Sequence, residues 1–175
     1  MDVFNRGDVA GRLLILGEPG AGKTTTLLEL AKELITAAEA EPTAPVPIIF
    51  ELSAWTNDKQ PIADWLVVRL KDEYNVPIKT GQHWVETHQI LPLLDGLDEL
   101  GMARQKLCAA KINDFLPEGE PDRKVVVCCR TKEFKQGDVP LTGLNGAVEL
   151  QPLSERQIRG YLKDVGQPGL WETIE

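Results

Sequence analysis

One run constrains this chain more than any other: Gly17-Glu18-Pro19-Gly20-Ala21-Gly22-Lys23-Thr24. It follows the apolar stretch Leu13-Leu14-Ile15-Leu16 and precedes apolar residues at Leu27, Leu28, Leu30, Ala31, Leu34 and Ile35. A continuous apolar run ended by glycine predicts a strand buried on both faces, and the later spacing predicts a helix starting near Lys23. The run fits G-x-x-x-x-G-K-[ST] at every fixed position, and strand and helix supply the context that makes the match meaningful. Glycines permit the positive φ angles and close approach by which several backbone N–H groups turn toward one anion. The helix start adds unpaired N–H groups and the positive end of its dipole. The predicted ligand is therefore a polyphosphate held by Gly17, Glu18, Pro19, Gly20, Ala21, Gly22, Lys23, Thr24 and Thr25. Lys23 would place a charge at the β and γ groups, and the Thr24 hydroxyl would meet Mg²⁺.

The remaining pattern alternates short apolar runs with longer amphipathic ones, which predicts an α/β fold with a parallel sheet wrapped by helices. Further strands are expected at Ile48–Leu52, Ile90–Leu94, Val125–Cys129 and Ala147–Leu150. Pro92 is unusual in the third of the five, because proline removes a ladder donor. Helices are expected after Pro61, through Ile62, Trp65, Leu66, Leu70 and Tyr74, and over Arg104–Leu116, through Leu107, Ala110, Ile112 and Phe115. A short helical turn is expected at Gly81–Glu86. Ser154-Glu155-Arg156-Gln157 fits a capping box ahead of a helix carrying Ile158, Tyr161 and Leu162. Another helix start is read at Leu170–Glu175, and with it the expectation that this is a piece of a longer protein.

Two strand ends carry charge. Leu93-Leu94-Asp95-Gly96-Leu97-Asp98-Glu99 puts one carboxylate at a strand tip and two beyond a turn. Magnesium favours oxygen ligands while keeping several waters, so Asp95 joins Thr24 as a candidate metal residue. Asp98 and Glu99 are candidates to hold or polarise an attacking water. Val125–Cys129 ends in Arg130, and ligands of doubly wound sheets lie at the carboxyl ends of strands, so Arg130 is a candidate for the γ-phosphate. Thr131-Lys132-Glu133-Phe134 narrowly misses a guanine-reading motif, with Phe134 where the base-binding Asp belongs; ATP is favoured, with GTP the alternative.

Other features exclude classes. A net charge of −8 without a Lys/Arg cluster argues against nucleic-acid binding. No apolar stretch approaches the roughly 20 residues of a membrane span, and the N-terminus lacks the pattern of an export signal. A cytoplasmic location follows, with Cys108, Cys128 and Cys129 expected as reduced core thiols. His83 and His88 have no partner at metal spacing, and Trp55, Trp65 and Trp84 read as core or interface filler.

Together the three motifs resemble the NACHT family of the STAND class of signal-transduction NTPases, especially its bacterial members, from Arg12 to Leu162. The acidic run is the most specific element, with a small residue after the metal-site Asp and a further acid three places on. AAA-plus relatives usually carry a catalytic Glu where Gly96 stands. The resemblance implies a three-layer P-loop NTPase fold with a five-stranded parallel sheet in order 2-3-4-1-5. It implies that Asp95 handles Mg²⁺, Asp98 supports hydrolysis and Arg130 acts as sensor. It also implies a core over residues 1–153, with 154–175 opening a C-terminal helical region. The expected activity is slow, Mg²⁺-dependent ATP hydrolysis controlling a signalling or oligomerisation switch through self-association and other domains of a larger protein. The rivals are a catalytically weak nucleotide-binding scaffold and, ranked lower, a P-loop phosphoryl transferase.

Overall fold

The computed structural model describes residues 2–137, 140–164 and 166–167. The elements run β1 (Arg12–Gly17), α1 (Lys23–Ala40), β2 (Val46–Glu51), α2 (Ile62–Tyr74), α3 (Ile78–Glu86), β3 (Ile90–Asp95), α4 (Met102–Phe115), β4 (Val125–Cys129), α5 (Thr131–Gly137), β5 (Gly146–Leu150) and α6 (Glu155–Asp164). The sheet is five-stranded in order β2-β3-β4-β1-β5, as the resemblance implies, and all its pairings are parallel. This is the fold of a P-loop NTPase.

The strands are apolar throughout because both faces are covered, and side chains alternate between those faces. Leu13, Ile15, Val126 and Cys128 join Leu27, Leu30, Ala31 and Leu34 of α1 on one side. Leu14, Leu16, Val125, Val127 and Cys129 join Trp65, Leu66 and Leu70 of α2 and Cys108, Ala109 and Ile112 of α4 on the other. Each fully buried Leu or Ile of these layers is worth about 1.5–3 kcal/mol relative to exposure. Pro92 sits within β3, opposite Ile48 of β2. The pairs Leu93↔Val126 and Leu94↔Val127 join β3 to β4 immediately past it, where the missing proline donor no longer interrupts the ladder.

Several expectations are corrected. Helix α4 turns Gln105, Cys108, Ala109, Ile112 and Phe115 inward, while Leu107 is exposed; the flanking small residues, not the leucine, fit against the sheet. Leu28, Ile35 and Tyr74 are exposed as well, since the apolar stripe of each helix is wider than the surface it covers. The turn expected at Gly81–Glu86 is a helix of nine residues beginning at Ile78 behind Pro77. Strand β2 begins at Val46 and stops at Glu51, and Leu52 opens a 3-10 turn. The capping box forms, with Ser154 N–H donating to Gln157 Oε1 at 2.9 Å and Gln157 N–H donating to Ser154 Oγ at 3.4 Å. Leu162 is buried beneath α6 and Tyr161 is exposed. The helix start read at Leu170–Glu175 lies outside the described residues.

Two features had no expectation attached. Phe4 and Val9 are buried against the α1 face of the sheet, so the segment before β1 is part of the core. Arg12 is only 6% exposed. Its guanidinium donates to the carbonyls of Arg123 (3.0 Å), Leu116 (3.4 Å), Pro117 (3.3 Å) and Glu120. One cation thereby satisfies the buried polar backbone of the connection from α4 to β4.

Candidate nucleotide site

Strand β1 ends at Gly17, and the chain turns back at once, with Ala21 N–H donating to Glu18 O at 3.0 Å. Gly20 and Gly22 take φ of +77° and +85°, a region that L side chains rarely adopt. A Cβ built at either position would meet nothing within 4 Å, so the backbone requires glycine there while the space beyond stays open. Gly22 caps α1 without a side-chain hydrogen bond, and the first turn carries no acid. The first bond of the helix runs from Thr26 N–H to Gly22 O at 2.8 Å; the N–H groups of residues 23–25 have no helical acceptor and face the loop. The Lys23 ammonium lies over this concavity, donating to Gly17 O at 2.8 Å and Glu18 O at 3.3 Å. Open space, positive φ, free donors and a cation together fit an anion of several oxygens.

Asp95 ends β3, opposite Glu51 of β2. The Thr24 hydroxyl donates to its Oδ2 at 2.9 Å, joining the loop to a strand end 71 residues away. A hydroxyl and a carboxylate in contact at a phosphate-binding loop fit Mg²⁺, which needs one or two protein oxygens and takes the rest from water and phosphate. Among the described residues no three His, Cys, Asp or Glu side chains gather as a metal cluster.

Gly96 follows with φ of +79° and opens a 3-10 turn over Leu97–Glu99. Leu97 anchors this turn in the core. Gln105, 2% exposed, donates from Nε2 to Asp98 O at 3.3 Å and to Leu100 O at 2.6 Å. Nothing in the sequence marks Gln105; it reads as one polar residue of an amphipathic helix. The Asp98 side chain is 5% exposed, and its Oδ2 forms an ion pair with Arg130, 2.8 Å from Nε. Its Oδ1 accepts the Arg130 backbone N–H at 3.0 Å. Arg130 Nη1 stands 3.6 Å from Glu133 Oε1. Glu99 is exposed, beside Gly96. Besides the bonds within the loop, the residues singled out come together as Thr24 with Asp95 and Asp98 with Arg130.

Cys128 and Cys129 lie beneath this edge, both 0% exposed. Burial, with the Asp98 carboxylate adding to it, pushes the Cys129 thiol up to about 12. Burial and then Asp95 push Cys128 upward too. Both stay protonated at neutral pH and neither is a nucleophile. A cavity of about 450 Å³ adjoins Thr26 one turn into α1, lined by apolar residues that include Phe4, Ile15 and Leu150 and by the acids Asp2, Glu29 and Glu33. The segment before β1 supplies part of its wall.

Residues 12–167 match the family model described as the NACHT domain. No individually curated protein matches the chain. Among solved structures, that of the Aeropyrum pernix ORC1 protein in complex with DNA is similar, with a TM-score of 0.63 at 15% identity. The alignment covers 89% of this chain and 43% of that one, and at such identity the likeness is one of fold alone. No helix among the described residues is long and apolar enough to cross a membrane.

Proposed function

The chain belongs to the NACHT domain family, a nucleotide-binding P-loop NTPase module, and from that premise we propose that it is a Mg²⁺-dependent, slowly hydrolysing ATPase serving as a conformational switch. Gly17 to Thr25 would hold the phosphates, Thr24 and Asp95 the metal, and Asp98, Glu99 and Arg130 would sense and assist hydrolysis. Magnesium, when bound, would supply charge to offset that of the β- and γ-phosphates. Lys23 would exchange its bonds to Gly17 O and Glu18 O for phosphate oxygens. The cavity beside Thr26 would take the base, its apolar residues packing on adenine's flat ring while Asp2, Glu29 and Glu33 complete the lining. Residues 1–153 would act as the core and those from 154 as the start of a helical region. In a larger cytoplasmic protein the nucleotide state would govern self-association and the other domains.

The observation that supports this reading is the Thr24–Asp95 hydrogen bond at 2.9 Å, because a hydroxyl and a carboxylate in contact suit magnesium, which takes one or two protein oxygens beside phosphate and water. Calorimetry with ATP in magnesium, alongside phosphate release, tests it. Lys23→Ala should weaken ATP binding roughly ten- to a hundredfold, as loss of charge-assisted hydrogen bonds implies. Asp95→Asn should remove most of the magnesium dependence. Retention of full affinity by Lys23→Ala would sink the proposal. The scaffold reading, with weak catalysis, has one observation in its favour: both Asp98 oxygens are already engaged by Arg130.

A further inference from the structure

Asp98 and Arg130 are usually easiest to imagine as separate contributors, one facing water and one facing phosphate. The geometry points elsewhere: we infer that Asp98 is a positioning residue that acts on the nucleotide only through Arg130, fixing the root of that side chain so that its outer nitrogens stay available to the γ-phosphate. This rests on the ATPase reading above and assigns a different task to one of its acids.

Three observations support it. Both Asp98 oxygens face one partner, Oδ2 in an ion pair 2.8 Å from Nε and Oδ1 accepting the backbone N–H at 3.0 Å. A carboxylate so engaged, with 5% of its side chain exposed, has little surface on which to hold a water. The ion pair, moreover, is formed at Nε. Nε is the guanidinium nitrogen nearest the stem, and the two Nη atoms with their four N–H groups lie beyond it. Glu133 approaches Nη1 only loosely, at 3.6 Å, and would yield it to a phosphate. Finally, the Asp98 backbone is itself clamped: Gln105 donates to its carbonyl at 3.3 Å and to that of Leu100 at 2.6 Å. Asp98 therefore ties the end of β3 to the end of β4. The exposed Glu99, not Asp98, is the acid of this turn that solvent reaches freely.

An Arg gripped at its root loses rotamer freedom before the nucleotide arrives, so less is lost when it binds the third phosphate. Without the grip it would sample solvent and discriminate ATP from ADP poorly. A ligand shifts a conformational equilibrium only through such differential affinity, so the pair is where the switch would gain or lose its bias.

The test is a double-mutant cycle on the purified chain, measuring affinity for ATPγS and for ADP in magnesium by calorimetry, with phosphate release from ATP measured in parallel. Arg130→Ala should reduce the preference for ATPγS over ADP by about tenfold. Asp98→Ala should reduce it within about twofold of the same extent, and the double variant should be no worse than the weaker single. Asp98→Asn retains an acceptor for the Arg130 N–H and should keep an intermediate preference and measurable turnover, also guarding against a misfolded alanine variant. If Asp98→Ala keeps the preference while losing turnover, or if the two losses multiply, Asp98 acts by itself and the inference is overturned. Should wild-type protein bind ATPγS with no preference over ADP, the switch and this inference fall together; should it bind neither, the nucleotide reading fails first.

Discussion

Replacing Gly96 isolates the cost of the turn that presents the acidic residues. Its φ of +79° lies in the left-handed region, where an L side chain costs about 1–2 kcal/mol. The added Cβ would come within 3.1 Å of Glu99 Cδ and 3.2 Å of Oε2. These atoms are the far end of a flexible, exposed side chain, so they can swing away and the backbone conformation sets most of the penalty. Gly96→Ala should therefore destabilise the protein by about 1–2 kcal/mol, a fall in Tm of roughly 2–8 °C for a chain of this size. Gly96→Asn should cost less, because asparagine visits this region more readily. Urea unfolding followed by tryptophan fluorescence is a suitable assay, since Trp55 and Trp65 are buried, and a lowered midpoint with unchanged slope is the signature of a stability effect. The same conformation would penalise a glutamate at position 96, as it does any L side chain. Gly96→Glu should accordingly lose stability and gain no turnover. An alanine variant with the wild-type midpoint would refute the reasoning, as it would mean that position 96 does not need a positive φ.

Arg12→Leu should cost about 1–3 kcal/mol, because removing the guanidinium leaves buried acceptors unsatisfied, here among the carbonyls of Leu116, Pro117, Glu120 and Arg123; a loss below about 1 kcal/mol in urea unfolding would show that water replaces the guanidinium. The buried thiols predict an alkaline loss of stability: burial raises Cys108 from 9.0 to about 12 and Cys129 likewise. The unfolded chain gives up these protons first, so their contribution is intact below pH 9 and falls as pH rises from 9 toward 12, by about 1.4 kcal/mol per pH unit per thiol. Cys129→Ala should flatten the urea midpoint against pH between 9 and 11, and an unaltered slope would contradict it.

Much of the fold was legible because its signals are local. A both-sided apolar run before Gly17, positive-φ glycines at Gly20 and Gly22 and a helix opening at Lys23 are demands of neighbouring residues on one another. Membership of the family and the strand order came from the same motifs by resemblance. Helix faces were less legible: Leu107 looked like core and is exposed, because hydrophobicity alone does not say which side meets the sheet. Gln105 and Arg12 were silent, since their value lies in the carbonyls they satisfy, and those belong to segments that only folding brings near.

What the sequence by itself determined, then, is the phosphate-binding loop, the alternating architecture and the chemical types at the strand ends. Tertiary structure alone decided who touches whom. Thr24 meets Asp95 and Asp98 grips Arg130 because parallel strands β1, β3 and β4 end at one edge of the sheet. Spacing along the chain contains no distance between residues 71 or 32 positions apart; side-by-side strand packing supplies it, and turns carboxylates and cations on separate segments into defined pairs.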